Sequence, residues 1–224
     1  MSASRPFPIE PERVEAVVFD LGGVLIEGGP SEVVAFGKRV GLAAGAWESI
    51  RRDLFGNDGP WAELERGEIG FEAFIDELKT RLREAGTTVS DDEARTFLGS
   101  PRPLGDADTI RPAMIDAVRR LKAVMPTALL TNNVREWRDG WRSAFDLDTL
   151  FNVVIDSSEV GSRKPESRIY EITQERLEID PDRILFLDDI GQNLKAARQL
   201  GWQTVLFEDI GGALAVIDSV LSAR

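Results

Sequence analysis

Apolar residues fall along this chain in two alternating rhythms. Val14 with Ala16-Val17-Val18-Phe19, Ala128-Leu129-Leu130, Val153-Val154-Ile155, Ile184-Leu185-Phe186-Leu187 and residues 204–207 form short, unbroken runs. They are too short for helices and have the continuous hydrophobicity of strands buried on both faces. The first four end on Asp20, Thr131, Asp156 and the pair Asp188-Asp189, and Gly22 and Gly23 after the first signal a loop. Between the runs, apolar positions recur at helical spacing. Within 112–125, Met114, Ile115, Val118, Leu121 and Val124 share one face, and Pro112 suits a first turn, where its missing N–H costs nothing. Residues 165–177 and 191–200 repeat the pattern. Strands alternating with helices predict βαβ crossovers, hence an α/β fold with a doubly wound parallel sheet.

One stretch breaks the alternation. From about residue 27 to 103 there are helical patterns at 31–40, 46–55, 71–85 and 91–98 and no strand signal, which predicts a helical insertion after the first strand. Residues 1–13 carry Pro6, Pro8 and Pro11 among polar neighbours and are expected to lie over the surface as a tail. The core domain is then 14–26 with 104–224, and 27–103 forms the second unit. The 224 residues suit one domain with an insertion.

Composition narrows the chemistry. Hydrophobic residues make up 42% and charged residues 29%, a globular balance rather than a disordered one. The formal net charge of −12 repels phosphate backbones and anionic lipid, so neither a nucleic-acid nor a membrane partner is expected. No apolar run approaches the ~20 residues of a membrane span, and the N-terminus lacks a basic-then-apolar leader, so a cytoplasmic location is expected. With no cysteine and no histidine, disulfides, thiolate zinc, cysteine nucleophiles and the Ser-His-Asp triad are all excluded. Catalysis must use carboxylates, Lys, Thr, Ser or a metal held by oxygen.

In parallel α/β sheets ligands bind outside the carboxyl ends of the strands, so Asp20, Thr131, Asp188 and Asp189 are expected to share a crevice. Several carboxylate oxygens suit Mg²⁺, which takes one or two carboxylates plus substrate phosphate. Singly, each such Asp is an ordinary turn or cap residue. Four polar strand ends together with a lysine form a pattern.

The segments Val17-Val18-Phe19-Asp20-Leu21-Gly22-Gly23-Val24-Leu25, Leu129-Leu130-Thr131-Asn132-Asn133, Lys164-Pro165-Glu166 with Ile169-Tyr170, and 184–189 with Asn193 resemble, in order, the four motifs of the haloacid dehalogenase (HAD) superfamily. The insertion falls where that family places its small helical cap. Arg111-Pro112, Gly67-Glu68-Ile69 and 161–165 further resemble the subgroup of epoxide hydrolase N-terminal phosphatase domains and domains attached to acyl-CoA dehydrogenases. The resemblance implies a Mg²⁺-dependent phosphatase acting on a small organic phosphate ester. Asp20 would be the nucleophile that forms an aspartyl phosphate. Asp20, the backbone carbonyl of Gly22, and Asp188 would hold the metal, and Asp189 would orient its waters. Thr131, Asn132 and the loop at Gly22 and Gly23 would hold phosphoryl oxygens, with Lys164 as the adjacent cation. Asn193 would brace the loop.

The departure is at Gly22, where most phosphatases of the superfamily carry a second Asp as general acid and base. Glycine can do neither, and general acid–base help is worth about 10²- to 10⁴-fold in rate. Two rival expectations follow: a domain that binds a phosphometabolite or a partner without catalysis, and a 2-haloacid dehalogenase, since those enzymes also lack this Asp. The paired Asp188 and Asp189 set the chain apart from the metal-free dehalogenases. Lys38 and Lys79 have the context of surface lysines rather than of an imine-forming residue. Trp47, Phe55, Trp61, Phe71 and Phe74 are expected mainly in the insertion's core, and Trp137 and Trp141 either line a pocket or pack beneath it.

Overall fold

The computed structural model describes residues 9–27, 31–96 and 110–224. Five strands, β1 (Ala16–Phe19), β2 (Thr127–Thr131), β3 (Val153–Asp156), β4 (Ile184–Asp188) and β5 (Gln203–Leu206), form one sheet in the order β3-β2-β1-β4-β5. Every pairing is parallel. Phe19 pairs in register with Leu129 of β2 and Leu187 of β4, so the residues just beyond these strands emerge side by side. The chain order reverses around β1, and this is the switch point at which such sheets open a crevice.

The unbroken apolar runs feed two cores. Val17, Phe19, Leu129, Leu185 and Leu187 face α6 (Pro112–Lys122) and α12 (Ile210–Ser222), packing with Met114, Val118, Leu121 and Ile217. Ala16, Val18, Leu130, Ile184 and Phe186 face α10 (Ser167–Leu177) and α11 (Gly191–Gln199), packing with Ile169, Tyr170, Leu194 and Trp202. Successive strand residues point to opposite faces, and a sheet covered on both sides needs apolar residues at every position.

Between β1 and α6 the described residues hold five helices and no strand beyond isolated bridges at Gly22, Ile26 and Ile110: α1 (Ser31–Arg39), α2 (Ala44–Leu54), α3 (Pro60–Glu65), α4 (Phe71–Glu84) and α5 (Asp91–Arg95). They surround a third cluster with Phe36, Trp47, Leu54, Leu64, Phe74 and Leu78, while Phe55, Trp61 and Phe71 pack on it half-buried. The predicted junction near residue 103, with Pro6 and Pro8, lies outside the described residues. Residues 9–13 lie at the surface and are fastened there, with Glu10 N–H donating to Gln203 (2.8 Å) and Arg13 paired with Asp182.

The two tryptophans part ways. Trp141, on α7 (Arg138–Ser143), is fully buried in the main core. Trp137 meets Trp61 at 6.1 Å and Phe71 at 5.9 Å between ring centroids, and Val134 joins the insertion's cluster, so this segment stitches the helices to the sheet. Sequence periodicity missed α3, α7, α8 (Leu147–Leu150), α9 (Ser157–Val160) and α12. The first four are four to six residues long, too short for a period to repeat. Helix α10 begins at Ser167 rather than 165, because Glu166 closes a turn by donating its N–H to Arg163 O (2.7 Å) and accepting from Arg163 N–H (3.1 Å).

The loop after β1 uses its two glycines differently. Gly23 has φ +80°, and a Cβ there would overlap the Asp189 carboxylate, whereas a Cβ at Gly22 would meet nothing within 4 Å. Gly23→Ala is therefore expected to lower unfolding free energy by about 1–3 kcal/mol, and Gly22→Ala by less than about 1 kcal/mol. Denaturant midpoints of the two variants check this, and equal losses would contradict it.

Candidate active site

The strands deliver their terminal residues to one edge of the sheet. Asp20 leaves β1 with its N–H bonded to Leu187 O (3.0 Å), and its Oδ1 accepts the N–H of Leu21 (2.7 Å). Asp188 ends β4 fully buried. Its carboxylate accepts from Ile190 N–H (2.7 Å) and from Asn193 Nδ2 on both oxygens (3.1 and 3.0 Å), so the first turn of α11 braces it. Asn193 is itself held, its carbonyl accepting from Tyr170 Oη at 2.9 Å. Asp189 is exposed beside them. Carboxylate oxygens of Asp20, Asp188 and Asp189 all lie within 4.8 Å of one another.

Lys164 enters this cluster from the turn before α10. It is 1% exposed, and its Nζ lies 2.7 Å from Asp20 Oδ1 and 2.9 Å from Asp188 Oδ2. The Lys164–Pro165 peptide is cis. Asn132, just past β2, clamps the lysine's backbone, its Oδ1 accepting from Lys164 N–H (2.8 Å) and its Nδ2 donating to Lys164 O (2.9 Å). Thr131 is buried at the end of β2, with Oγ1 3.4 Å from Asn132 O.

The electrostatics follow from three carboxylates facing one ammonium. Burial pushes the Asp20 carboxyl up to about 7, against Lys164, which lowers it, and with Asp188 and Asp189 adding to the rise. Burial works against the Lys164 charge, but Asp188 and Asp20 outweigh it and hold the ammonium above its ordinary value. Burial and Asp188 also raise Asp189. The surplus of negative charge is the condition under which a divalent cation fits, and three carboxylates offering only oxygen donors suit Mg²⁺ rather than a softer metal.

Eight positions singled out in the sequence, Asp20, Gly22, Gly23, Thr131, Asn132, Lys164, Asp188 and Asp189, thus stand at the same edge of the sheet. The remaining strand-end aspartate, Asp156, does not join them: it caps α9, accepting from Ser158 N–H (2.9 Å) and Ser158 Oγ (2.7 Å). Lys38 is exposed and Lys79 pairs with Asp91, so both are surface groups. Sequence reasoning missed Glu65. This carboxylate, on α3, is the one buried charged side chain among the insertion's described residues. It accepts from Arg163 Nε (2.5 Å), from Asn132 Nδ2 (3.3 Å) and from the Trp61 indole, and burial still raises its carboxyl above the ordinary range. The Gly59-Pro60 pair, with proline opening α3, was the available signal for the helix that carries it.

Among the described residues no helix is long and apolar enough to cross a membrane. The mouse acyl-CoA dehydrogenase family member 10 is 33% identical over 211 residues, an alignment covering 92% of this chain and 19% of the mouse protein. The chain thus spans about a fifth of that relative's length. A phosphorylated carbohydrates phosphatase of Thermotoga maritima is 27% identical, with 86% of this chain and 84% of the relative covered. A crystal structure of a HAD family enzyme from Bacteroides thetaiotaomicron, in complex with magnesium and inorganic phosphate, superposes with a TM-score of 0.63 at 25% identity, covering 88% of this chain and 96% of the other. The family profile of haloacid dehalogenase-like hydrolases matches residues 14–201. The parallel sheet, the acidic edge and this match over most of its length together make the chain a member of the haloacid dehalogenase-like hydrolase family.

Proposed function

We propose that this hydrolase is a Mg²⁺-dependent phosphatase that cleaves a small organic phosphate monoester through an aspartyl phosphate on Asp20, with 27–103 acting as its cap. The observation that carries the reading is the buried contact of Lys164 Nζ with both Asp20 and Asp188 beside Asp189. One ammonium against three carboxylates suits a site completed by a cation and an anionic substrate. The relative that acts on phosphorylated carbohydrates and the neighbour that binds phosphate support the same chemistry.

Both described bonds to the Asp20 carboxylate fall on Oδ1, which leaves Oδ2 to attack phosphorus. The P–O bond to the alcohol breaks as the Asp20 oxygen–phosphorus bond forms, and the departing oxygen takes its proton from solvent. Water then attacks the phosphorus, releasing phosphate and restoring Asp20. Asp20, Asp188 and the Gly22 carbonyl would hold Mg²⁺, which when bound neutralises charge on the transferring group, and Asp189 would orient its waters. Thr131, the N–H of Asn132 and the loop at Gly22 and Gly23 would receive phosphoryl oxygens. Lys164, fixed by the Asn132 clamp, supplies a point charge that pulls Asp20 toward the ionised form it needs for attack.

Phosphate release from a panel of phosphate monoesters is expected to require Mg²⁺, to stop with EDTA and to fall at least about 10³-fold in Asp20→Asn. Equal activity of that variant and wild type would overturn the reading.

The raised Asp20 carboxyl also affects stability. Because the folded value lies near 7, above the ordinary 3.8, the protonated group's contribution is full below 3.8 and is lost as pH rises through about 7. Metal-free protein is therefore expected to lose Tm between pH 5 and pH 8 by about 5–10 °C more than Asp20→Asn does, with Mg²⁺ restoring it at pH 8. Parallel Tm profiles would contradict this.

Without an acid at Gly22, activity is expected to favour esters whose leaving groups depart unprotonated, such as aryl phosphates. A Cβ at Gly22 would meet nothing within 4 Å. Across esters of graded leaving-group pKa, Gly22→Asp is expected to flatten the dependence. An already flat wild-type profile, with P–O cleavage limiting the rate, would sink the idea.

A further inference from the structure

The turn that carries Lys164 is gripped on both sides by the end of α3. Glu65 bonds Arg163 at 2.5 Å, and the next residue, Arg66, bonds Glu166 at 2.9 Å. The two pairs have opposite polarity and flank Lys164-Pro165. The first pair is sheltered, with the side chains of Glu65 and Arg163 10% and 12% exposed, and the second is half-open, with Arg66 at 16% and Glu166 at 36%. Each pair continues into a contact that holds the backbone of this turn. Glu65 also receives Asn132 Nδ2 at 3.3 Å, and Asn132 brackets the Lys164 peptide groups at 2.8 and 2.9 Å. Glu166, held by Arg66, accepts from Arg163 N–H (3.1 Å) and Ser162 Oγ (3.0 Å). Arg66 is itself fixed, its Nε and second terminal nitrogen on the two oxygens of Glu68.

We infer that Glu65 and Arg66 are positioning residues: docking of α3 onto the Arg163–Glu166 turn sets the place of the Lys164 ammonium, so the insertion controls whether the active-site cation is aligned. The inference rests on the phosphatase reading for its kinetic consequence alone. Lys164 has a long, flexible stem, and its Nζ holds two separate carboxylates only while its backbone stays where Asn132 keeps it. Opening α3 removes a partner from Asn132 and from Glu166 at once. A misplacement of about 1 Å at a reacting group costs about 10²-fold in rate.

The test uses whole protein carrying Glu65→Gln or Arg66→Gln, with Arg168→Ala as control, since among the described residues Arg168 pairs on the exposed face of α10 with Glu171 and Glu175. Residue-resolved amide exchange is read first, because it does not depend on activity. Glu65→Gln is expected to speed exchange at the Lys164 amide, and Arg66→Gln at the Arg163 amide, each by about tenfold or more. Arg168→Ala leaves both unchanged. Reversing the pair with Glu65→Arg and Arg163→Glu is expected to restore protection relative to Glu65→Arg alone.

Kinetics with p-nitrophenyl phosphate and Mg²⁺ is read second. Both Gln variants are expected to lose about 10- to 100-fold in kcat while KM moves less than about threefold. Unchanged exchange at both amides, or an effect confined to KM, would overturn the inference. If wild type itself releases no phosphate across the ester panel, the phosphatase reading fails and the exchange data alone decide the clasp.

Discussion

A lysine ammonium buried between two carboxylates is the contact to which the other parts of this structure answer. Moving such a charge out of water costs several kcal/mol unless partners replace its hydration, and Asp20 and Asp188 do so at 2.7 and 2.9 Å. Each partner arrives from a different strand, and the lysine arrives from a third element, so the ion triad can form only when β1, β4 and the turn before α10 are in register. Removing one member would leave the others buried without compensation, a loss of about 3–5 kcal/mol for a pair of this kind. The triad therefore ties the integrity of the sheet edge to the chemistry performed there.

Charge at this edge is deliberately unbalanced. Lys164 satisfies two carboxylates, and Asp189 makes a third within reach. The consequence is a carboxyl at Asp20 that burial pushes up to about 7, with Asp188 and Asp189 adding to the rise and Lys164 opposing it. Space is as closely managed as charge. Asp189 lies against Gly23, where a Cβ would overlap it, so the loop after β1 must carry glycine for the fourth strand's aspartate to stand where it does. Gly22, by contrast, leaves room for a Cβ, so the steric demand in this loop falls on Gly23.

The insertion joins the sheet by two means of different character. Trp137 and Val134 are apolar residues of the core chain that enter the insertion's hydrophobic cluster, which makes the contact strong but indifferent to chemistry. The crossed ion pairs of Glu65 and Arg66 are local and directional, and they fall on the turn that carries the lysine.

Much of this was legible in the chain itself, because strands buried on both faces leave unbroken apolar runs and the rule for parallel sheets sends their polar ends to one edge. Asp20, Thr131 and Asp188 could be placed together from those runs, and Lys164 and Asn132 from their motifs. Asp156 shows the limit of the rule: it ends a run in the same way, yet at the edge strand β3 its carboxylate caps α9 instead. Glu65 shows the other limit. It lies on a six-residue helix without a readable period, and it is buried only because α3 packs against a turn about a hundred residues further along the chain. Periodicity and strand-end residues are local properties that a sequence states directly. Which of two tryptophans is core, which glycine has room, and which surface carboxylate becomes an internal partner depend on contacts between distant segments, and those the tertiary structure alone decided.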